Sequence, residues 1–141
     1  MERRDFLLYG IRAGTFITIP ALYSSCSKDD DEEENLPEPV MPVTLDLASP
    51  QYAALNNDGH SVMISNNIMV VNLGGMEFVA LSAVCTHQGC IISYNHAAGN
   101  FPCPCHGSVF SSTGSVLQGP ATVAVKQYTV TREGNILTID D

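Results

Sequence analysis

Two short boxes rich in soft ligands constrain this chain more than any other feature. They are Cys85-Thr86-His87-Gln88-Gly89-Cys90 and Cys103-Pro104-Cys105-His106-Gly107-Ser108. Written as donors, they give C-x-H, fifteen intervening residues and then C-x-x-H. Thiolate sulfur and imidazole nitrogen are the donors that bind transition metals. A fold that uses both boxes must therefore bring two loops together at one place.

The sequence around the boxes predicts strands. From Met41 onward there is no sustained 3.6-residue periodicity. Short β-branched runs alternate instead with turn dipeptides. The runs are Val43 to Leu47, Val62 to Ile64, Ile68 to Asn72, Glu77 to Ser82, Val109-Phe110, Thr122 to Val125, Tyr128 to Arg132 and Ile136 to Ile139. Asn57-Asp58-Gly59, Asn66-Asn67, Gly74-Gly75 and Glu133-Gly134-Asn135 are turn signals between them. Eleven glycines, eight prolines and no tryptophan in 141 residues agree with a turn-rich, all-β chain of antiparallel strands. No internal repeat is apparent.

The two boxes resemble the C-T-H-x-G-C and C-P-C-H-G-S boxes of Rieske iron–sulfur proteins, almost letter for letter. The resemblance extends over the all-β stretch from Met41 to Asp141. It implies a Rieske-like fold of stacked antiparallel sheets, with a subdomain of two loops that binds a 2Fe-2S cluster. Cys85 and Cys103 would hold one iron, and His87 and His106 the other. Exchanging two thiolates for neutral imidazoles takes the oxidised cluster from dianionic to neutral, so an electron enters more easily. Rieske centres accordingly span about −150 to +300 mV, against about −400 mV for plant-type clusters. The imidazoles also carry a second ring nitrogen, through which electron uptake can be coupled to proton uptake.

By the same resemblance Cys90 and Cys105 correspond to the disulfide that ties the two loops together in respiratory Rieske proteins. Oxygenase-type domains generally lack it. A disulfide implies an oxidising compartment. Ser108 corresponds to the serine that donates a hydrogen bond to a cluster sulfide and stabilises the reduced state. Two positions on, high-potential members carry a tyrosine; here Phe110 has no hydroxyl, which predicts an intermediate potential. Gly119-Pro120-Ala121 resembles the proline loop that covers the cluster's third side. His60 and His96 are expected to be surface histidines, and the five methionines core filler.

The N-terminal forty residues carry a different kind of signal. Arg3-Arg4-Asp5-Phe6-Leu7 resembles the twin-arginine export signal, and Phe6 to Leu22 is too short and too broken by Arg12 to make a good membrane span. Residues 1–25 are therefore expected to be a signal peptide. Leu22-Tyr23-Ser24-Ser25-Cys26 resembles a lipobox, with Tyr23 departing from the usual aliphatic residue; Cys26 is the expected lipidation site. Behind it Asp29 to Glu34 is an unbroken run of six carboxylates, followed by Asn35-Leu36-Pro37-Glu38-Pro39. That composition predicts a disordered tether over 26–40, similar to the acidic stretch of Bacteroidota lipoproteins delivered to the cell surface. The domain proper is 41–141. Twin-arginine export moves folded proteins, which suits a cluster that must be inserted before crossing. The five cysteines are then all assigned.

Fifteen acidic residues against six basic ones, a net charge of −9, exclude a nucleic-acid partner. No Ser-His-Asp motif, phosphate loop or paired carboxylates suggest a substrate site, so no catalytic role is expected of this chain alone. The expected function is electron transfer outside the cytoplasm, as a redox subunit or carrier with a partner protein, held at the membrane by lipid. The runner-up is the Rieske subunit of a quinol-oxidising cytochrome bc-type complex. Quinol is not favoured, because the residue after the first histidine, typically apolar there, is Gln88. In a different class stands a structural zinc module, since two cysteines and two histidines also satisfy tetrahedral zinc.

Overall fold

Residues 40–65 and 67–141 are described in the structure, a computed structural model. The expected signal peptide, Cys26 and the acidic run lie outside the described residues. So does the Asn66 half of the Asn66-Asn67 turn.

Among the described residues nine strands form two antiparallel sheets. The larger has six strands: β1 (Val43–Asp46), β2 (Ser61–Ile64), β3 (Ile68–Gly74), β4 (Glu77–Ser82), β8 (Gln127–Glu133) and β9 (Ile136–Asp140), in the order β1-β9-β8-β4-β3-β2. The smaller consists of β5 (Phe101–Pro102), β6 (Val109–Phe110) and β7 (Val116–Gln118), in that order. A short 3-10 turn, Ala53–Asn56, follows β1 and buries Leu55. The all-β expectation holds, and β4 has the bounds expected of it.

Burial follows from position in the sheet. In β3 the run Ile68-Met69-Val70-Val71 is apolar without alternation because both of its faces are covered. Ile68 and Val70 face one core with Leu45, Leu47, Leu55, Ala80, Leu137 and Ile139. Met69 and Val71 face a second core with Val79, Leu81, Phe101 and Phe110. The second core lies beneath the two boxes.

In β3, Asn72 is a fully buried polar residue whose two side-chain polar atoms both have a partner. Its Nδ2 donates to Leu55 O at 3.0 Å, and its Oδ1 accepts from Gly74 N at 2.9 Å. An unpaired amide at that depth would cost roughly 1–3 kcal/mol. Asn72 thus fixes the irregularity that the β3–β4 register shows between Asn72 and Gly74.

The expected strand over Thr122 to Val125 does not form. Its backbone is used elsewhere: Val123 O accepts from Thr86 Oγ1 at 2.6 Å, and Val125 N donates to Gly114 O at 2.9 Å. The segment covers the boxes instead of pairing in a ladder.

Candidate metal centre

Strand alternation delivers both candidate cysteines to the interior. Val79, Leu81, Ala83 and Cys85 all point into the core beneath the boxes, two residues apart, so Cys85 continues the inward phase of β4. Phe101 and Cys103 repeat this from β5. Cys85 and Cys103 are buried and not disulfide-bonded.

Each chain then turns through a loop of the same construction. In the first, Cys85 N donates to Cys90 O at 2.7 Å and Gly89 N to Cys85 O at 2.9 Å. In the second, Cys103 N donates to Ser108 O at 2.7 Å and Gly107 N to Cys103 O at 3.1 Å. The two glycines have φ of +74° and +81°. A Cβ on either would meet nothing within 4 Å, so it is the left-handed backbone that calls for glycine there. The two loops are thus a local repeat that no extended internal repeat of the sequence announces. The shared spacing C-x-x-x-G, in Cys85…Gly89 and Cys103…Gly107, is the signal that could have revealed this one.

The loops are fastened at base and tip. Val84 bridges Ile91 at the base of the first, and β5 pairs with β6 at the base of the second. Cys90 and Cys105 form a disulfide with their Cα atoms 6.4 Å apart, joining the loops directly.

The histidines stand on the outer side of this assembly. The rings of His87 and His106 lie edge to face with centroids 4.9 Å apart; His87 is half-buried and His106 exposed. Nδ1 of His87 is buried and has no hydrogen-bond partner among the described residues. A buried ring nitrogen without a partner is costly unless something binds it. Two inner sulfurs, two outer imidazoles and one orphaned nitrogen are the donor set and polarity that a 2Fe-2S cluster with mixed ligands needs.

The third side is closed by residues 119–125. Ser108 is fully buried, and its Oγ accepts from Ala121 N at 2.9 Å. A hydroxyl can accept and donate at once, so its own proton stays available to an acceptor in the site. Gln118 Nε2 donates to Gly107 O at 3.0 Å, bracing the second loop as Thr86 braces the first. Neither brace is marked in the sequence, because both depend on contacts between residues far apart in the chain. His60 and His96 are exposed, as expected. His60 Nδ1 lies 3.2 Å from Asp58 O, and the His96 ring packs on Gly59.

This geometry defines a β-domain with a candidate metal site between two tied loops. The family model described as Rieske [2Fe-2S] domain matches residues 44–129, and the chain belongs to that family; its cofactor is a 2Fe-2S cluster, a one-electron carrier. Among its relatives, the cytochrome b6-f complex iron-sulfur subunit of Chlorobaculum thiosulfatiphilum is 40% identical over 85 residues, 58% of this chain and 46% of that protein. The corresponding subunit of Synechococcus elongatus is 36% identical over 85 residues, 59% of this chain and 44% of that one. The chain thus spans less than half the length of these curated relatives. Among solved structures, the plasma membrane Rieske protein of Synechocystis PCC 6803 superposes with a TM-score of 0.50 at 34% identity, over 57% of this chain and 84% of that one. The ferredoxin of Sphingomonas yanoikuyae B1 gives 0.53 at 28% identity, over 60% of this chain and 88% of that one.

Proposed function

We propose that this protein is a single-electron carrier outside the cytoplasm, with Cys85 and Cys103 on the inner iron of its cluster and His87 and His106 on the outer one. The observation that carries this reading is the convergence of two buried free cysteines and two paired histidines, one of them with an orphaned buried nitrogen. When bound, the cluster accepts and returns one electron without making or breaking a bond to substrate. The chain does the rest. Its buried cysteines and core exclude water on the inner side. Its disulfide and the cover over 119–125 hold the loops together through the redox cycle. The exposed imidazole of His106 offers the short path to a partner. Ser108 would donate its free proton toward a cluster sulfide and so favour the reduced state. Phe110, fully buried and without a hydroxyl, adds no such donor, which supports an intermediate potential.

The same reading places residues 1–25 in a twin-arginine signal, a lipid on Cys26, and residues 26–40 in an acidic tether before the domain at 41–141. Among the described residues no helix is long and apolar enough to cross a membrane, and a lipid anchor would supply the attachment. The partner is a redox protein. A role within a cytochrome bc-type complex is the second reading, favoured by the names of the relatives.

The test is a ligand scan on the full chain purified with its cluster. Serine at Cys85 or Cys103 and alanine at His87 or His106 should each abolish the visible spectrum of the cluster, whereas His60→Ala and His96→Ala should keep it. Cluster colour retained in any one of these four serine or alanine variants would refute the assignment. Cys26→Ser should release the protein from membranes.

A further inference from the structure

The segment between the two boxes is a hairpin that leads away from the metal centre. Ser93 N donates to Pro102 O at 3.0 Å and Asn95 N to Asn100 O at 2.9 Å, which sets Tyr94 opposite Phe101 and Ile92 opposite Cys103. Ile92, Phe101 and Cys103 are buried in the core beneath the boxes, and Tyr94 packs against it. The face that carries Cys103 thus continues through Phe101 and Tyr94 toward the hairpin tip. Along it the Tyr94 ring lies 5.0 Å from the Phe101 ring and 6.1 Å from the His96 ring.

The tip is held in place. Ala98 N donates to Asn95 Oδ1 at 3.2 Å and Gly99 N to Asn95 O at 2.8 Å. His96 is exposed, yet its ring is seated on Gly59, where a Cβ would lie only 2.5 Å from its Cγ. Gly59 shows where in the domain that ring stands. Its N–H donates to Asn72 O at 2.8 Å, and Asn72 pairs with Phe78 in the β3–β4 ladder. The first box opens from the other end of that ladder, beyond the pair Ile68 and Ser82. Four residues of strand separate the two ends, about 13 Å. His96 therefore meets solvent at the end of the sheet remote from His87 and His106.

Electron tunnelling weakens steeply with the width of the gap to be crossed. Rings in contact leave narrow gaps, and this file of rings joins an exposed imidazole to the strand of Cys103. We infer that the hairpin is a second electron port, with His96 as its surface end and Tyr94 and Phe101 as the bridge to Cys103. This rests on the proposed electron transfer through the cluster. A reduced partner at one port gives one electron to the cluster, and the cluster passes it to an oxidised partner at the other; no bond forms or breaks. The partner served at His96 is a one-electron redox protein, and it does not compete with one held at His106.

The experiment attaches a ruthenium bis(bipyridine) complex to His96 of full-length holoprotein carrying His60→Ala, and to His60 of a second sample carrying His96→Ala. His60 is the matched control: it directly follows Gly59 and is exposed, and its imidazole lies against Asp58 O instead of a ring. The cluster is reduced beforehand. A flash excites the complex, and added hexaammineruthenium(III) takes its excited electron and leaves ruthenium(III) on the imidazole. That ion then takes one electron from the cluster, followed as the return of the oxidised cluster's absorbance. The His96 label should oxidise the cluster several-fold faster than the His60 label. Tyr94→Leu should slow the His96 label several-fold and leave the His60 label unchanged, and Tyr94→Phe, which keeps the ring, should keep the His96 rate. Equal rates from the two labels, an unchanged His96 rate in Tyr94→Leu, or an equal slowing in Tyr94→Phe would overturn the inference. If Tyr94→Leu loses the cluster, the two labels with Tyr94 in place decide alone. Failure of the unlabelled, reduced cluster to give one electron to hexacyanoferrate(III) would strike instead at the electron-transfer reading itself.

Discussion

Gly114 is where the cover over the cluster is most sensitive to a single methyl group. It is buried at φ +80°, and a Cβ there would lie 2.3 Å from Val125 O and 3.3 Å from both Val125 C and Cγ2. Its carbonyl accepts from Val125 N at 2.9 Å, at the end of the segment that carries Ala121 and Val123. Gly114→Ala should therefore incur three penalties. The left-handed backbone costs an L-residue about 1–2 kcal/mol. Overpacking against backbone that cannot swing aside costs about 1–3 kcal/mol. Stretching the Val125 bond costs about 0.5–1.5 kcal/mol. Together these come to about 3–5 kcal/mol, allowing for partial relaxation.

Gly134→Ala is the matched control. Its φ is +60° and nothing lies within 4 Å of a Cβ, so only the backbone penalty of about 1–2 kcal/mol applies. Urea midpoints of the two holoproteins, read by circular dichroism, should fall well below wild type for Gly114→Ala and slightly for Gly134→Ala. Cluster absorbance should also bleach faster in Gly114→Ala, because the cover holds Ser108 and Thr86 through Ala121 and Val123. Equal midpoints for the two variants would refute the argument from close packing.

Other outcomes follow from single residues. Ser108→Ala should lower the midpoint potential in a redox titration and cost about 1–3 kcal/mol, because Ala121 N loses its buried acceptor. Met76 is exposed at φ +67°, a position that suits glycine or asparagine; Met76→Gly should raise the thermal midpoint, relieving about 1 kcal/mol of strain in the β3–β4 turn. Burial raises the hydroxyl of Tyr94, packed 5.0 Å from the Phe101 ring, above its ordinary value of 10.0. The native state then holds that proton to higher pH than the unfolded chain does. This contribution to stability is whole below pH 10 and is lost as pH rises through the native value. Phenolate absorbance of wild type against Tyr94→Phe should show the late titration, and the variant should lose less stability in that alkaline range.

Much of the site was legible because its signals are local. The spacing of the two boxes is written in contiguous residues, and so is the turn Glu133-Gly134-Asn135 that joins β8 to β9. The hidden parts are those whose partners lie far off in the chain. β5 is two residues long and contains Pro102, so no period can announce it; it exists because Phe101 and Pro102 find Phe110 and Val109. β7 has three residues and is held by the same small sheet. Thr122 to Val125 has the composition of a strand, but the Thr86 hydroxyl and the Gly114 carbonyl claim its backbone. Gln118 carries no mark of its own, since its bond to Gly107 appears only once the sheet brings the second loop beside it.

The most direct test of the whole account is electron–nuclear double resonance on the dithionite-reduced, full-length protein, with iron and acid-labile sulfide measured on the same sample. The account predicts equal amounts of iron and sulfide and two coupled nitrogens that disappear one at a time in His87→Cys and His106→Cys. A reduced centre with no nitrogen coupling, or protein that holds zinc and no sulfide, would contradict it.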